Sequence, residues 1–80
     1  MKIAKKWNYS KHDYEPYNLP DGASAYPYDD MDYEISCACC GKRVKFGDTY
    51  TSFEIHTDIG MGYWVCESCH EIEYDRRRKQ

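Results

Sequence analysis

The sequence predicts one small α+β domain, and three observations carry this prediction. Apolar residues alternate around Phe53 and Ile55, a glycine-rich stretch follows, and residues 63–65 return as a second strand, which indicates a β-hairpin. The last segment places acidic residues before basic ones, as in a helix whose charges complement its dipole. Four of the five cysteines form two closely spaced pairs, one on each side of the predicted hairpin.

The apolar content is too low for a core that could hold this chain together unaided. The 80 residues include 41% hydrophobic residues, but nine of these are Tyr and five are Cys. Ordering the backbone costs about 1–2 kcal/mol per residue, and the few aliphatic and Phe side chains contribute only about 1.5–3 kcal/mol each. Domains of this size usually depend on disulfide bonds or a metal ion. We therefore do not expect a large enzyme with a deep pocket.

The spacing of the cysteines predicts a structural metal site. Cys37 with Cys40, and Cys66 with Cys69, give the pattern C-x2-C-x25-C-x2-C. Each C-x2-C turn lets two thiolates converge on one ion, and two such turns complete a tetrahedron. We predict one structural Zn²⁺ ion on these four residues, with iron in the same S4 geometry as an alternative. Cys39 is expected outside the coordination shell, either as a small packed side chain or as a reactive thiol.

Disulfide bonds and redox chemistry are the competing interpretations of these cysteines. A disulfide framework would need export, yet the basic N-terminal residues are not followed by the apolar region of a signal peptide, and the number of cysteines is odd. A redox pair would not require a second pair. No stretch approaches the roughly 18 apolar residues of a membrane span. We therefore expect a reducing, cytoplasmic location without membrane association.

The elements around the cysteines follow from the local sequence. Residues 33–36 lead into the first pair, and residues 42–46 leave it. In the strand over residues 49–57, we expect Phe53 and Ile55 on one face and, on the other, Ser52, Glu54 and His56.

The C-terminal helix has a predicted start. Residues 68–71 read Ser-Cys-His-Glu, which fits a capping box with Ser68 as N-cap and places Cys69 at the first helical position. The residues expected to face the hairpin are Cys69, Ile72 and Tyr74.

Residues 1–32 differ in composition from the rest. They contain five of the nine Tyr, Trp7 and all three Pro, with neither strand alternation nor helical period. We predict an extended, turn-rich arm over residues 1–32, with a strand near residues 2–9, that packs on or extends a zinc domain of residues 33–80. A disordered arm that becomes ordered on a partner is the alternative.

A treble clef consists of a zinc knuckle, a β-hairpin and a helix that carries the second cysteine pair. Here the knuckle would be the turn that contains Cys37 and Cys40. Cys-x2-Cys-Gly-Lys at 37–42, Phe-Gly-Asp-Thr-Tyr at 46–50 and Val-Cys-x2-Cys-His-Glu at 65–71 resemble the small treble-clef zinc proteins of phages and bacteria. One half of a LIM module is comparable. The resemblance covers residues 33–78 and implies the fold but no single activity. For a viral chain, the expected location is the host cytoplasm.

We expect a non-enzymatic binding module whose partner is a protein. Four protein ligands leave zinc no open position for catalysis, and no small-molecule substrate is inferred. The aromatic, acidic stretch 26–34 suits a basic partner. The candidate contact residues are Tyr26, Tyr28, Trp64, Arg76, Arg77 and Arg78. The alternative is that the tyrosines pack against the hairpin.

Two other functions stay open at this point. Nucleic acid could bind Lys42, Arg43 and Lys45 together with residues 76–79 as one basic face, although the formal net charge of −3 argues against a protein that coats nucleic acid. An HNH-like nuclease would use His56 and His70. The helix, however, has no further His or Asn at the spacing which that family implies.

Overall fold

A four-stranded antiparallel sheet forms the centre of the structure, a computed structural model that describes residues 3–79. The strands and the helix are, in chain order, β1 (Ile3–Asn8), β2 (Asp13–Asn18), β3 (Glu34–Ser36), β4 (Arg43–Lys45), β5 (Thr49–His56), β6 (Gly62–Cys66) and α1 (Glu67–Arg78). The sheet has the order β2-β1-β5-β6, while β3 and β4 form a separate two-stranded ribbon. The predicted small α+β fold with β-hairpins and one C-terminal helix is confirmed. None of the helical structure within residues 3–79 has the length and apolarity to cross a membrane.

The N-terminal hairpin differs from the predicted extended arm. The turn between β1 and β2 is organised by Asn8, whose Oδ1 accepts hydrogen bonds from the backbone N–H of Ser10 (2.9 Å) and Lys11 (3.2 Å). β1 then pairs with β5 on its other side, with Lys5 opposite His56. Residues 3–18 therefore form a β-hairpin whose two strands belong to the sheet.

Residues 19–32 are turns and bends that follow the outside of this framework. Several of their carbonyl groups nevertheless accept hydrogen bonds from the rest of the chain, because backbone polar groups that pack against protein need partners. The bonds run from Ser36 N–H to Gly22 O (3.1 Å), from Trp64 N–H to Ser24 O (3.1 Å), and from Gly47 N–H to Met31 O (2.9 Å). The segment is thus tied to the ribbon and to β6.

The core is small and is built around cysteines. Its buried members are Ala4, Cys37, Ala38, Ile55, Tyr63, Val65, Cys66 and Cys69. Three of the eight belong to the predicted cysteine pairs. The core and the candidate site are therefore the same part of the molecule.

β5 does not alternate as predicted. Ser52 and Glu54 are buried, as is Ile55. Ser52 Oγ accepts hydrogen bonds from the N–H groups of Glu54 (3.1 Å) and Ile55 (2.9 Å), and the pairing register with β6 shifts in the same stretch. Such an irregularity rotates the following side chains. The regular two-faced alternation predicted for residues 52–56 is therefore interrupted, and the polar Ser52 and Glu54 are buried as well as Ile55.

Gly62 sits where two strands approach too closely for a side chain. A Cβ atom at this position would collide with Cγ2 of Thr51 and lie 2.9 Å from the carbonyl oxygen of Ser52. We expect Gly62→Ala to lower the free energy of unfolding by about 1–3 kcal/mol, because the carbonyl cannot rotate away. Urea denaturation measures the change. The exposed neighbour Met61→Ala is the control, and equal midpoints for both variants would contradict the close approach.

α1 begins earlier than predicted. Its N-cap is Cys66, in extended conformation and without a side-chain capping bond, so Ser68 is a helical residue and the predicted capping box is wrong. Cys69 is consequently the third helical residue rather than the first. The backbone N–H of Cys66 donates a hydrogen bond to Cys37 Sγ (3.3 Å). This bond holds the residue at which β6 ends and α1 begins.

The buried face of α1 also differs from the prediction. Ile72 and Tyr74 are 54% and 49% exposed, whereas Glu73 is fully buried beside β5. The helix docks through a cysteine and a carboxylate, so its apolar residues do not determine which face turns inward.

Candidate metal centre

Four cysteine sulfur atoms converge where the ribbon, the sheet and the helix meet. Cys37 and Cys40 lie in the β3–β4 connection, Cys66 ends β6, and Cys69 lies in the first turn of α1. Their Sγ atoms all lie within 4.8 Å of one another, and those of Cys40 and Cys66 are 3.9 Å apart. Sulfurs bound at about 2.3 Å around a tetrahedral ion would be about 3.8 Å apart. The four cysteines are positioned to bind one metal ion, and zinc is compatible with the site.

The β3–β4 connection has the backbone geometry that brings its two cysteines together. The N–H of Gly41 donates to Cys37 O (2.9 Å), and the N–H of Cys37 donates to Lys42 O (2.8 Å). Gly41 has φ 79°, a value that side chains rarely adopt. The glycine therefore lets the chain reverse directly after Cys40.

Cys37 is held in an environment that favours a thiolate. Burial raises its pKa, but three backbone N–H groups donate to Sγ and outweigh burial, so the pKa falls to about 7. The donors are Cys39 (3.4 Å), Cys40 (3.5 Å) and Cys66 (3.3 Å). At Cys69, burial and hydrogen bonds with neighbouring cysteines both raise the pKa. A bound cation would supply the charge that stabilises all four thiolates together.

Acidification is expected to release the metal. The lowered pKa of Cys37 means that its favourable contribution to the folded state is present above the usual thiol pKa and is lost as the pH falls through about 7. The raised pKa of Cys69 makes proton competition at that ligand begin at higher pH. Titration of the cobalt-substituted protein should show thiolate-to-metal absorption fading as the solution becomes acidic. An unchanged band at about pH 4 would contradict thiolate ligation.

Cys39 lies in the same connection but does not belong to the four-sulfur group. Its carbonyl oxygen is 3.2 Å from the hydroxyl of Tyr17, which also donates to Ala38 O at 2.7 Å. The N-terminal hairpin is thereby attached to the backbone beside the metal ligands.

A buried polar network between β5 and α1 was not predicted. Glu73 accepts hydrogen bonds from the Ser52 hydroxyl and the Phe53 N–H, both at 2.8 Å. Glu54, only 1% exposed, accepts two bonds from the guanidinium of Arg76 at 2.8 and 2.6 Å. Burial raises the pKa of Glu73 although both hydrogen bonds oppose that shift. No local pattern marks these carboxylates as buried, because their partners lie about twenty residues away.

The structure places two of the predicted contact residues in an aromatic cluster. The Tyr28 ring centroid lies 4.7 Å from that of Tyr33 and 5.3 Å from that of Phe46, which in turn lies 5.0 Å from Trp64. Trp64 Nε1 donates to the backbone oxygen of Tyr26 at 2.7 Å, and the Tyr26 side chain is 63% exposed. Packing thus uses much of Tyr28 and Trp64. Their role in partner binding stays a prediction.

The predicted basic groups lie apart. Lys42 lines a depression with Glu67 at the start of α1, whereas residues 76–79 are at its other end. Twelve helical residues span about 18 Å. Several of these cations also have carboxylate partners: Arg43 with Glu34 (3.8 Å), Lys45 with Asp32 (3.8 Å), Arg76 with Glu54 (2.6 Å) and Arg78 with Asp75 (3.0 Å).

The two histidines considered for a nuclease contact aromatic rings. His70 stacks on Tyr50 with 4.7 Å between ring centroids, and His56 meets the Tyr14 ring edge-on at 5.7 Å. Within residues 3–79, the one group of His, Cys, Asp or Glu side chains close enough to share an ion is the four cysteines.

Comparisons with protein-family models, with curated proteins and with solved structures found no match to this chain. The metal centre is thus argued from its own geometry. The resemblance to treble-clef proteins rests on the cysteine spacing and the order of elements.

Proposed function

We propose that this chain is a non-enzymatic binding module, scaffolded by one structural Zn²⁺ ion, whose partner is a basic protein. The convergence of four sulfurs within 4.8 Å carries the proposal. Four thiolates complete the tetrahedron that zinc prefers and leave no position for a substrate or an activated water molecule. Metal analysis of protein purified under reducing conditions tests zinc against iron, with one equivalent of zinc expected.

The arrangement of elements supports a treble clef of the phage and bacterial type. The first cysteine pair lies between β3 and β4, the β5–β6 hairpin follows, and the second pair leads into α1. The N-terminal hairpin then adds two strands to that unit. Thiolate ligands remain reduced in the cytoplasm, including that of a host cell for a viral chain, and this supports the proposed location.

The partner surface that we propose is the acidic aromatic segment, defined as residues 26–34. Three large apolar side chains stand exposed in it, namely Tyr26 (63%), Met31 (58%) and Tyr33 (49%). Asp29, Asp30 and Asp32 are exposed between them. Aromatic anchors bordered by one sign of charge suit a partner with apolar residues flanked by lysine or arginine.

Affinity capture from the native host, followed by mass spectrometry at low and high salt, tests this function. We expect a protein that remains bound at high salt and whose affinity falls at least about thirtyfold with Tyr26→Ala plus Tyr33→Ala, since a single interface anchor contributes about 2 kcal/mol or more. Tyr50→Ala, exposed elsewhere, is the matched control. Capture that does not depend on Tyr26 and Tyr33 would contradict the proposed surface.

Nucleic-acid binding is the second candidate function. It is supported by the position of Arg77, whose guanidinium lies 4.8 Å above the Phe53 ring beside an aromatic groove. Binding driven by phosphates would weaken steeply with salt, so the same capture experiment distinguishes it from a protein interface.

A further inference from the structure

One face of the sheet points away from the metal centre. Ala4 on β1 and Ile55 on β5 belong to the core that contains the cysteines. Side chains alternate along a strand, so Lys5 and Trp7 point to the opposite side of the sheet. His56, paired with Lys5, shares that side. The face is therefore distinct from the acidic aromatic segment as well as from the metal ligands.

A groove of about 430 Å³ lies on this face. It is lined by Trp7, Tyr9, Tyr14, Phe53, His56 and Arg77. Five of the six side chains are aromatic, counting the imidazole of His56. The Trp7 and Tyr14 ring centroids are 5.0 Å apart at 75°, so the two rings form walls at a steep angle. A flat π-system can stack on the face of one of these rings while its edge contacts the other, which gives both stacking and apolar contact.

Two cations lie close to rings that line the groove. Lys5 Nζ lies 4.4 Å from the centroid of the Tyr14 ring, and Arg77 Cζ lies 4.8 Å from that of Phe53. A ligand that carried negative charge on either side of a flat ring would meet both. The charge and the aromatic walls are therefore complementary to a base flanked by phosphates.

His56 supplies an independent observation. Its Nδ1 atom is buried and has no hydrogen-bond partner among the described residues 3–79. Unsatisfied buried polar atoms are uncommon because each one costs free energy. His56 also lines the groove, so a polar base edge bound there would lie beside this imidazole.

We propose that this groove, here called the aromatic groove, binds single-stranded nucleic acid. A base stacks against Trp7 and Tyr14, its polar edge meets His56, and the flanking phosphates contact Lys5 and Arg77. This site is separate from the proposed protein-binding surface. It uses neither residues 26–34 nor the cations Lys42, Arg43 and Lys45. With two phosphate contacts, the logarithm of affinity should fall with the logarithm of salt concentration with a slope of about −1.4, at about −0.7 per contact.

Fluorescence anisotropy of labelled eight-nucleotide oligo-dT and oligo-U, with the full zinc-loaded chain, tests the proposal. Tyr14→Ala should weaken binding about tenfold, within the range of about 5-fold to 150-fold for a stacked base. Tyr50→Ala is the matched control, because Tyr50 is similarly exposed but stacks on His70 outside the groove. Its affinity should stay within about twofold of the parent chain.

A second pair of variants tests the charge contribution. Lys5→Ala should weaken binding and reduce the salt slope by about 0.7, whereas Lys6→Ala should leave both unchanged. Lys6 is the next residue of β1, on the opposite face, where its Nζ lies 5.4 Å from the Tyr17 ring centroid. Each variant removes one positive charge, so a difference between them reports the effect of where that charge lies. Circular dichroism checks folding, and if Tyr14→Ala loses structure the lysine pair decides.

Several results would overturn the proposal. These are no measurable binding at low salt, equal losses in Lys5→Ala and Lys6→Ala, and a slope several times steeper than predicted. Thymidine monophosphate that binds as tightly as the oligonucleotide would assign the groove to free nucleotides instead. Displacement by poly-glutamate as effective as by unlabelled oligonucleotide would show recognition of anions in general.

Discussion

Removal of the metal is expected to unfold the chain. Three of the four sulfurs belong to the eight-residue core, so loss of the ion removes the bonds that would join the ribbon, β6 and α1 at the centre of the molecule. Structural zinc contributes about 10–16 kcal/mol of apparent binding free energy, which equals or exceeds the total stability of about 5–15 kcal/mol typical of domains. Addition of a chelator under reducing conditions should abolish the cooperative thermal transition seen by circular dichroism. A hairpin and helix that melt unchanged would contradict this account.

Substitution of single cysteines separates the ligands from their neighbour. Cys69→Ser is expected to lose zinc and to be unfolded at 25 °C, because the remaining three thiolates leave the tetrahedron incomplete. Cys39→Ser is the matched control in the same connection and should retain one equivalent of zinc. If Cys39→Ser released the metal while Cys37→Ser retained it, the ligand assignment would be wrong.

Glu73→Ala is expected to produce the largest loss of stability among substitutions outside the metal ligands. The carboxylate is fully buried and is the acceptor for the Ser52 hydroxyl and the Phe53 N–H. Each donor left without a partner costs about 1–3 kcal/mol, so we expect a loss of about 3–5 kcal/mol. Urea denaturation in excess zinc measures it.

Two further variants make the Glu73 experiment specific. Glu71→Ala removes an exposed carboxylate from the same helix and should change the free energy of unfolding by less than about 0.5 kcal/mol. Glu73→Gln retains the shape but only one acceptor oxygen, so it should fall between the two. Equal effects of Glu73→Ala and Glu71→Ala would show that the buried bonds contribute nothing.

The metal centre could be predicted because its geometry is mostly local. Two residues between paired cysteines place both sulfurs on one side of a turn, and Gly41 supplies the positive φ that reverses the chain. The hairpin between the pairs was visible in residues 49–65, since its strands and glycine-rich turn are contiguous. Only the convergence of the two pairs required a tertiary assumption.

The buried carboxylates could not be predicted, because burial of a charge depends on partners supplied by another element. Glu54 and Glu73 look like ordinary solvent-facing residues until Arg76 and Ser52 are placed beside them. The same holds for the irregularity in β5. There the Ser52 hydroxyl accepts hydrogen bonds from two backbone N–H groups. The spacing of apolar residues in the sequence does not indicate such bonds.

The N-terminal hairpin was missed for a different reason. Strand prediction relies on apolar residues alternating with polar ones, but in β1 the inward side includes only a small Ala4 and the outward side carries Trp7. Pro16 also argued against a strand, although β2 lies at the sheet edge, where proline is tolerated. The predicted strand near residues 2–9 corresponds to β1, whereas its partner β2 and the turn at Asn8 were not predicted.

The pairing of β1 with β5 sets an order of events during synthesis. Lys5 of β1 lies opposite His56 of β5, so β1 can pair with β2 early but meets β5 only after about fifty more residues have been made. Cys69 emerges later still, and only then can all four thiolates capture an ion. Until that moment Ile55 has no completed core to enter, and an incompletely folded chain of this kind is prone to associate with other copies.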